Sequence, residues 1–381
     1  YRVAPRWTVN MGVRWDFDTN LRDNAVIDKM LDDPQFKGIE RFVHRNRGNQ
    51  YDAFQPRVGA TWDVRGNGTL VARGGYGVYV TRDRQWFSVS SQHANYGSSV
   101  LIQGVNAMRC YPSIECVLGF ATAGTRTVQL IDDNYRFPYQ RTASVGVGWQ
   151  VTSTTSLDLD AVHSYMPNAL GAADGNLPAT GAISAANPRP VSTLGRVTMQ
   201  NLSNTKSWYD ALEMQVRQRV RGGNSLQVSY TLSRALMDGV TRETTLRSNQ
   251  RTSYEFGYNP TDTRHNLSVS ASFMLPLGLQ VSGIGRVISG EPVPVTTGLD
   301  LDGDGINLDR PVGLSPTVGR GNLDRPLSII NAYRASLNLP AFTADRLKPR
   351  AASKNIDLRI TKRSEEHTSE LQSLRHLVCR L

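Results

Sequence analysis

The chain has 381 residues, 39% of them hydrophobic, and a formal net charge of +10. No apolar run approaches the ~20 residues that a membrane-crossing helix needs, which excludes a helical membrane protein. It does not exclude a β-barrel, where only alternate strand residues must be apolar. The basic residues are scattered without a Lys/Arg block, so no nucleic-acid partner is expected; cationic loops at an anionic cell surface account for the charge equally well.

The predicted elements begin at once. From Arg6 to Asp18 the sequence alternates, with Trp7, Val9, Met11, Val13, Trp15 and Phe17 against Thr8, Asn10, Gly12, Arg14, Asp16 and Asp18. A period of two makes a β-strand with two unlike faces. Val58, Ala60, Trp62 and Val64 form the next strand, followed by Arg65-Gly66-Asn67-Gly68, a hairpin signal. Leu70, Ala72, Tyr76, Val78 and Val80 return from it. Ala143 to Val151, a turn at Thr152–Thr155, and Leu157, Leu159 and Ala161 make a second hairpin. Leu212, Met214 and Val216 pair in the same way with Leu226, Val228, Tyr230 and Leu232 across Arg221-Gly222-Gly223-Asn224. Leu267 to Leu275, Pro276-Leu277-Gly278, then Leu279 and Val281 make a fourth. Ile356, Leu358 and Ile360 close the series at about ten strands.

Between hairpins lie long segments, at about 18–55, 82–139, 166–207, 234–264 and 291–353. Regular alternation of short turns with long loops is the habit of outer-membrane barrels rather than of soluble sandwiches, which are the alternative. In a barrel such loops need no structure of their own, whereas in a compact soluble domain they would count against the assignment. The non-apolar parity carries Arg14, Asp16, Arg57, Asp63, Arg73, Asp158, Asp160, Glu213, Arg217, Arg219, Asp357 and Arg359. An Arg or Lys at mid-depth on a lipid face costs roughly 2–4 kcal/mol, so these charges belong to a wet interior. The expected fold is all-β: an antiparallel transmembrane barrel with short periplasmic turns and long extracellular loops. Asp210, on the apolar parity, falls at a strand end where headgroups would lie, and His163 is expected to be interfacial.

Chemistry-bearing motifs are few. Asp300-Leu301-Asp302-Gly303-Asp304-Gly305, with Asp309 beyond, matches the start of an oxygen-rich calcium loop, with Asp300, Asp302, Asp304 and Asp309 as candidate ligands. Its twelfth position is Pro311 rather than a bidentate Glu, and a solvated turn explains the run equally well. Cys110 and Cys116 are close enough in sequence for a loop disulfide in an oxidising compartment, or stand as two thiols; no ligand spacing for zinc accompanies them. No HExxH, GxSxG or P-loop lysine motif occurs, and His44, His93, His163 and His265 are isolated, so no enzyme is expected. The lumen charges Arg14, Asp16, Asp63, Arg73, Asp158, Asp160, Glu213, Arg217 and Arg219 read as a mutually paired, solvated wall or as contacts to a substrate or plug. Arg45-Asn46-Arg47 and Arg82-Asp83-Arg84 are loop arginines, solvated or facing lipopolysaccharide phosphates.

Several segments together resemble the TonB-dependent receptors of the Oar-like type. They are PRVGATWDV (56–64), ARGGYGVY (72–79), WYDALEMQVRQR (208–219), SYTLSRAL (229–236), DTRHNLSVSASFMLP (262–276), SGEPVPV (289–295), DLDGDGINLDRP (300–311) and NIDLRITK (355–362). The resemblance covers most of residues 1–362 and lies in the order and spacing of the segments. It implies a 22-stranded barrel closed by an N-terminal plug, energised by the TonB–ExbB–ExbD complex and importing a ligand. By that implication residues 1–362 are part of the barrel, with the plug, TonB box and signal peptide outside the chain. Outer-membrane lipid and lipopolysaccharide, TonB–ExbB–ExbD through the plug, and an unidentified transported ligand are the expected partners; calcium is the one cofactor in view. A structural or adhesive barrel, or a passive porin with 82–139 as its constriction loop, is the alternative. The final residues 363–381, RSEEHTSELQSLRHLVCRL, begin with eleven that match a one-frame translation of a standard sequencing adapter, so this tail is expected to carry no domain.

Overall fold

The computed structural model describes residues 2–19, 21–81, 95–96, 113, 115, 126–169, 172–179, 181–200, 205–220, 222–238, 245–246, 256–300, 310, 314–315, 317–320, 323–347, 351–362 and 377–380. Ten long strands carry it. They are β1 (Trp7–Trp15), β2 (Phe54–Asp63), β3 (Leu70–Val80), β4 (Tyr139–Gln150) and β5 (Thr155–Ala169). They continue as β6 (Thr205–Val220), β7 (Asn224–Asp238), β8 (His265–Leu275), β9 (Leu279–Ile288) and β10 (Ser353–Lys362). Each pairs antiparallel with the next in sequence order. Every hairpin expected from the alternation is present. Strands β5, β6 and β7 run deeper into the expected loops than the pattern predicts, at 15, 16 and 15 residues. Among the described residues no helix is long and apolar enough to cross a membrane.

The register sorts the two faces. Val9, Ala60, Gly74, Val145, Ala161, Leu212 and Leu232 stand side by side across seven strands, with no polar side chain in the row. One residue along, Thr8, Thr61, Arg73, Gly146, Asp160, Glu213 and Thr231 form the adjacent row, on the opposite face. Because strand side chains alternate, a slip of one residue would exchange these rows, so the pattern fixes the register. Among the described residues this face is left uncovered where its side chains are largest: Met11 is 75% exposed, Val13 70% and Val145 63%. At the short-turn end Trp7 stacks on Trp62, with ring centroids 5.3 Å apart. At the loop end Trp15 stacks on Phe17 and lies near Phe54.

The molecule's buried core is elsewhere, in the long connections, and here the expectation of loops without structure is corrected. Residues between β1 and β2 form helix α1 (Asn24–Asp32) and two single 3-10 turns. The strands Arg126–Ile131, Ala172–Asp174, Leu194–Gln200 and Thr245–Leu246, drawn from three further connections, assemble a separate four-stranded sheet. Val26, Ile27 and Met30 of α1 pack with Phe36, Ile39 and Val43 against Val128, Leu130, Leu194, Val197 and Met199 of that sheet. The last connection builds its own core from Val293, Val295, Leu314, Ile330 and Leu347 around helix α2 (Asp324–Ser336). Apolar side chains that would be isolated on separate loops are removed from water by packing the loops together. Beyond β10, Leu377–Arg380 pairs with Asp357–Ile360, so part of the tail set aside on sequence grounds lies along the sheet.

Candidate functional site

The polar face carries the chemistry. Strand β3 places Arg73 opposite Gly146, whose lack of a side chain leaves room for Asp160 from β5 to reach across. Arg73 Nε donates to Asp160 Oδ1 at 2.9 Å, and its Nη1 donates to Asp158 Oδ1 at 3.1 Å. Arg217 of β6 donates to the second oxygen of Asp158 at 3.3 Å, and its other arm to Gln215. Four of the expected wall charges thus form one network across β3, β5 and β6. Glu213 stands in register beside Asp160 and is exposed. A two-pronged guanidinium bridging two carboxylates is geometrically specific, and it spaces the strands as well as neutralising them.

The other wall residues fall into smaller groups. Arg14 donates to Asp16 at 2.9 Å, and Gln55 Nε2 donates to the second Asp16 oxygen at 2.7 Å, which buries that carboxylate near the loop end. Asp63 sits in the β2–β3 turn, where its two oxygens accept from the Gly66 and Gly68 amides, each at 2.8 Å. Both glycines have positive φ, so the Asn-Gly signal and Asp63 make one turn together. Arg219 enters a further row, Arg219–Ser225–Ser272–Ser282–Arg359, in register across five strands. The three serines are short, and the wall there opens into a depression of about 720 Å³ rimmed by Arg217, Arg219, Asp357 and Arg359.

The connections add fixed polar joints. Arg47 is buried and donates to the carbonyls of Ile131 and Arg22 and to Asn24 Oδ1, with Asp133 at 3.5 Å. Burial pulls its guanidinium below the usual arginine range, and the Asp133 charge opposes that. Asp174 accepts from the amides of Asn176 and Val197 and from Arg189 at 2.6 Å. Asp262 is inaccessible and accepts from the Ala235 amide and from Arg320 at 2.9 Å, which ties the α2 connection to β7.

Of the candidate calcium ligands only Asp300 is among the described residues; Asp302, Asp304 and Asp309 lie outside them, as do Cys110 and Cys116. Among the described residues no group of three His, Cys, Asp or Glu side chains is placed to hold a metal. Sequence reasoning missed one cluster. On the apolar face His163 Nδ1 meets Asp210 Oδ1 at 2.7 Å, and Arg234 donates to Asp210 Oδ2 at 3.1 Å. Asp210 and His163 stood out singly; the signal that joins them is the β5–β6–β7 register.

Residues 1–353 match the family model described as an outer membrane beta barrel domain. No curated protein matches the sequence. Among solved structures, the outer membrane transporter YddB from Escherichia coli is similar, with a TM-score of 0.53 and 10% identity over 94% of this chain. The FrpB iron transporter (F3-3 variant) from Neisseria meningitidis has a TM-score of 0.46 and 10% identity over 95% of this chain. The siderophore receptor PiuA from Acinetobacter baumannii has a TM-score of 0.45 and 10% identity over 94%. The chain spans 37%, 46% and 35% of the lengths of these three proteins. At this identity the likeness to YddB bears on the fold alone.

Proposed function

The chain belongs to the outer membrane beta barrel domain family and lies in the outer membrane, and from that premise we propose that it forms wall of a TonB-dependent receptor of the Oar-like type. The observation that carries this reading is the pair of opposed rows: an uncovered apolar face and a charged, mutually paired face one residue away. A closed barrel built from such strands has lipid outside and water inside. The inner wall is polar, the short turns lie at one end, and the cored connections crowd the other. With the short turns periplasmic, the connections face outward and meet the ligand first. The chain binds and conducts rather than catalyses; a plug and TonB–ExbB–ExbD complete the energised device. Siderophore, glycan, peptide and metal complex are all compatible cargoes.

Three narrower assignments go with this reading. Asp300, Asp302, Asp304 and Asp309 hold calcium in an outward connection. Cys110 and Cys116 pair. Residues 363–381 derive from an adapter and add nothing to function.

The test is cargo uptake by cells carrying the intact locus. Energised accumulation that is lost in cells without TonB, while the protein remains in the outer-membrane fraction, supports the receptor. Uptake indifferent to TonB would assign a passive porin. Surface attachment without uptake would assign an adhesive barrel. Resequencing the locus with long reads past residue 362 tests the tail.

A further inference from the structure

The His163–Asp210–Arg234 cluster stands on the face that the proposed reading turns to lipid. Its neighbours in the sheet extend it. Arg141 on β4 is two residues further toward the connections than Ala143, the partner of His163; His265 on β8 is paired with Leu232 of β7. Arg141, His163, Arg234 and His265 are all exposed, and Asp210 is half-buried among them. His265 is held by Tyr230, whose hydroxyl lies 2.8 Å from Nδ1. Four adjacent strand pairings, β4 to β8, therefore carry a belt with two arginines, two histidines and a single carboxylate.

The height of this belt follows from strand geometry. From Val151 to Arg141, Val220 to Asp210, Asn224 to Arg234 and Leu275 to His265 is in each case about ten residues, or roughly 25 Å of vertical rise at ~3.3 Å per residue and ~40° tilt. That is the full height of the apolar band, so the belt lies at its outer edge and not within it. Level with Arg141, and one same-face row beyond His163, Asp210 and Arg234, Tyr165 stacks on Trp208, and Trp208 meets Phe256 edge-on, as interfacial aromatics do. Strands β1 to β3 carry no charge at the corresponding place on this face, so the belt is a patch and not a girdle.

Below the belt the surface is recessed. A depression of about 590 Å³ is lined by Ala143, His163, Asp210 and Arg234 in one row and by Val145, Ala161, Leu212 and Leu232 in the next row toward the short turns. Two alanines among larger neighbours make the hollow. Asp210 holds His163 by Nδ1 and Arg234 by one arm, and the two side chains remain 55% and 48% exposed. The combination is amphipathic in one direction: cationic donors above, an apolar trough below.

We propose that this patch is a lipid-binding site on the outside of the barrel, taking the phosphate of an outer-leaflet glycolipid headgroup between Arg141, His163 and Arg234, with an acyl chain lying in the Ala143–Ala161–Leu212 trough. The site rests on the outward placement of the long connections given above. Arginine suits it because its planar fork binds phosphate oxygens in pairs. Asp210 is a positioning residue that fixes two donors and leaves the patch with net positive charge.

The test uses the full-length protein extracted from outer membranes and placed in phosphatidylcholine nanodiscs. Retention of diphosphorylated lipid A, of its dephosphorylated form and of inorganic phosphate is read by native mass spectrometry. Diphosphorylated lipid A is expected to bind the wild type, with a loss of about tenfold for each of Arg141→Ala and Arg234→Ala. Arg234→Lys is expected to recover part of that loss, and Ala161→Phe to weaken binding by filling the trough while leaving every charge in place. Equal retention of the dephosphorylated form, undiminished binding by the arginine variants, or saturation by inorganic phosphate alone would overturn the site. A protein that copurifies in stoichiometric amount and is lost in the same variants would overturn it in favour of a protein interface. Cleavage of the long connections by protease on intact cells tests the underlying orientation separately.

Discussion

Arg73 and Gly146 are two halves of one device. A β-carbon on Gly146 would stand 1.9 Å from Asp160 Oδ1 and 2.8 Å from the Leu159 carbonyl. The carboxylate has freedom to move, but the carbonyl is backbone. Gly146→Ala is therefore expected to push Asp160 off Arg73 and to strain β5. Arg73→Ala leaves Asp160 unneutralised beside Glu213, with Asp158 held by Arg217 alone, and is expected to cost about 1–2 kcal/mol, since the network is partly exposed. Urea unfolding in lipid vesicles, followed by the heat-dependent gel shift, measures both. Gly146→Ala is expected to cost at least as much as Arg73→Ala; a neutral Gly146→Ala would mean that the Asp160 arm has no structural role. The parity of Arg73, Asp158, Asp160 and Arg217 was legible in the sequence because charge avoids a lipid face. Their pairing was not, since it depends on which strands are neighbours and on a glycine that reads as an ordinary strand residue.

At the scale of elements, the ten strands were legible and the folded connections were not. Alternation is a local signal, and each hairpin carries its own turn chemistry. The connections are held by contacts between segments far apart in sequence, such as Ile27 and Met30 against Val128 and Val197. One trace was present: Val26, Ile27, Met30 and Leu31 have the spacing of a helix with one apolar face. Ile27→Ala removes a fully buried side chain and is expected to destabilise this cap by about 2–4 kcal/mol while the strands keep their pairing. Hydrogen exchange reads it directly, as faster exchange in Arg126–Ile131 and Leu194–Gln200 with none in β4 to β7. Exchange that rises everywhere would mean the cap and wall form one cooperative unit. Asp262→Ala should act in the same way on the α2 connection, because it leaves the Ala235 amide and Arg320 without their buried acceptor. Protease cleavage between β9 and β10 is expected to quicken, with β7 and β8 unaffected.

For the whole molecule, the same two faces set both fold and place. A chain 39% hydrophobic with no long apolar run is ordinary for a soluble protein, and only the parity of its charges separates lipid from water. Val145 and Ser144 are adjacent on β4 and point oppositely, so one substitution distinguishes the environments. Val145→Arg is expected to cost roughly 2–4 kcal/mol and to lower the amount assembled in the outer membrane, whereas Ser144→Arg adds one charge to a wet wall at small cost. In this arrangement the apolar row touches lipid. The most direct measurement places single spin labels at residues 143 to 149 of the protein in outer-membrane vesicles, leaving Gly146 unlabelled because it has no room for a side chain, with the native cysteines replaced by serine. Accessibility is then read to oxygen, which partitions into lipid, and to a water-soluble nickel chelate. Oxygen should dominate at 143, 145, 147 and 149 and the chelate at 144 and 148. Accessibility to the chelate at every position, or no alternation at all, would contradict the account and return the chain to a soluble β-protein.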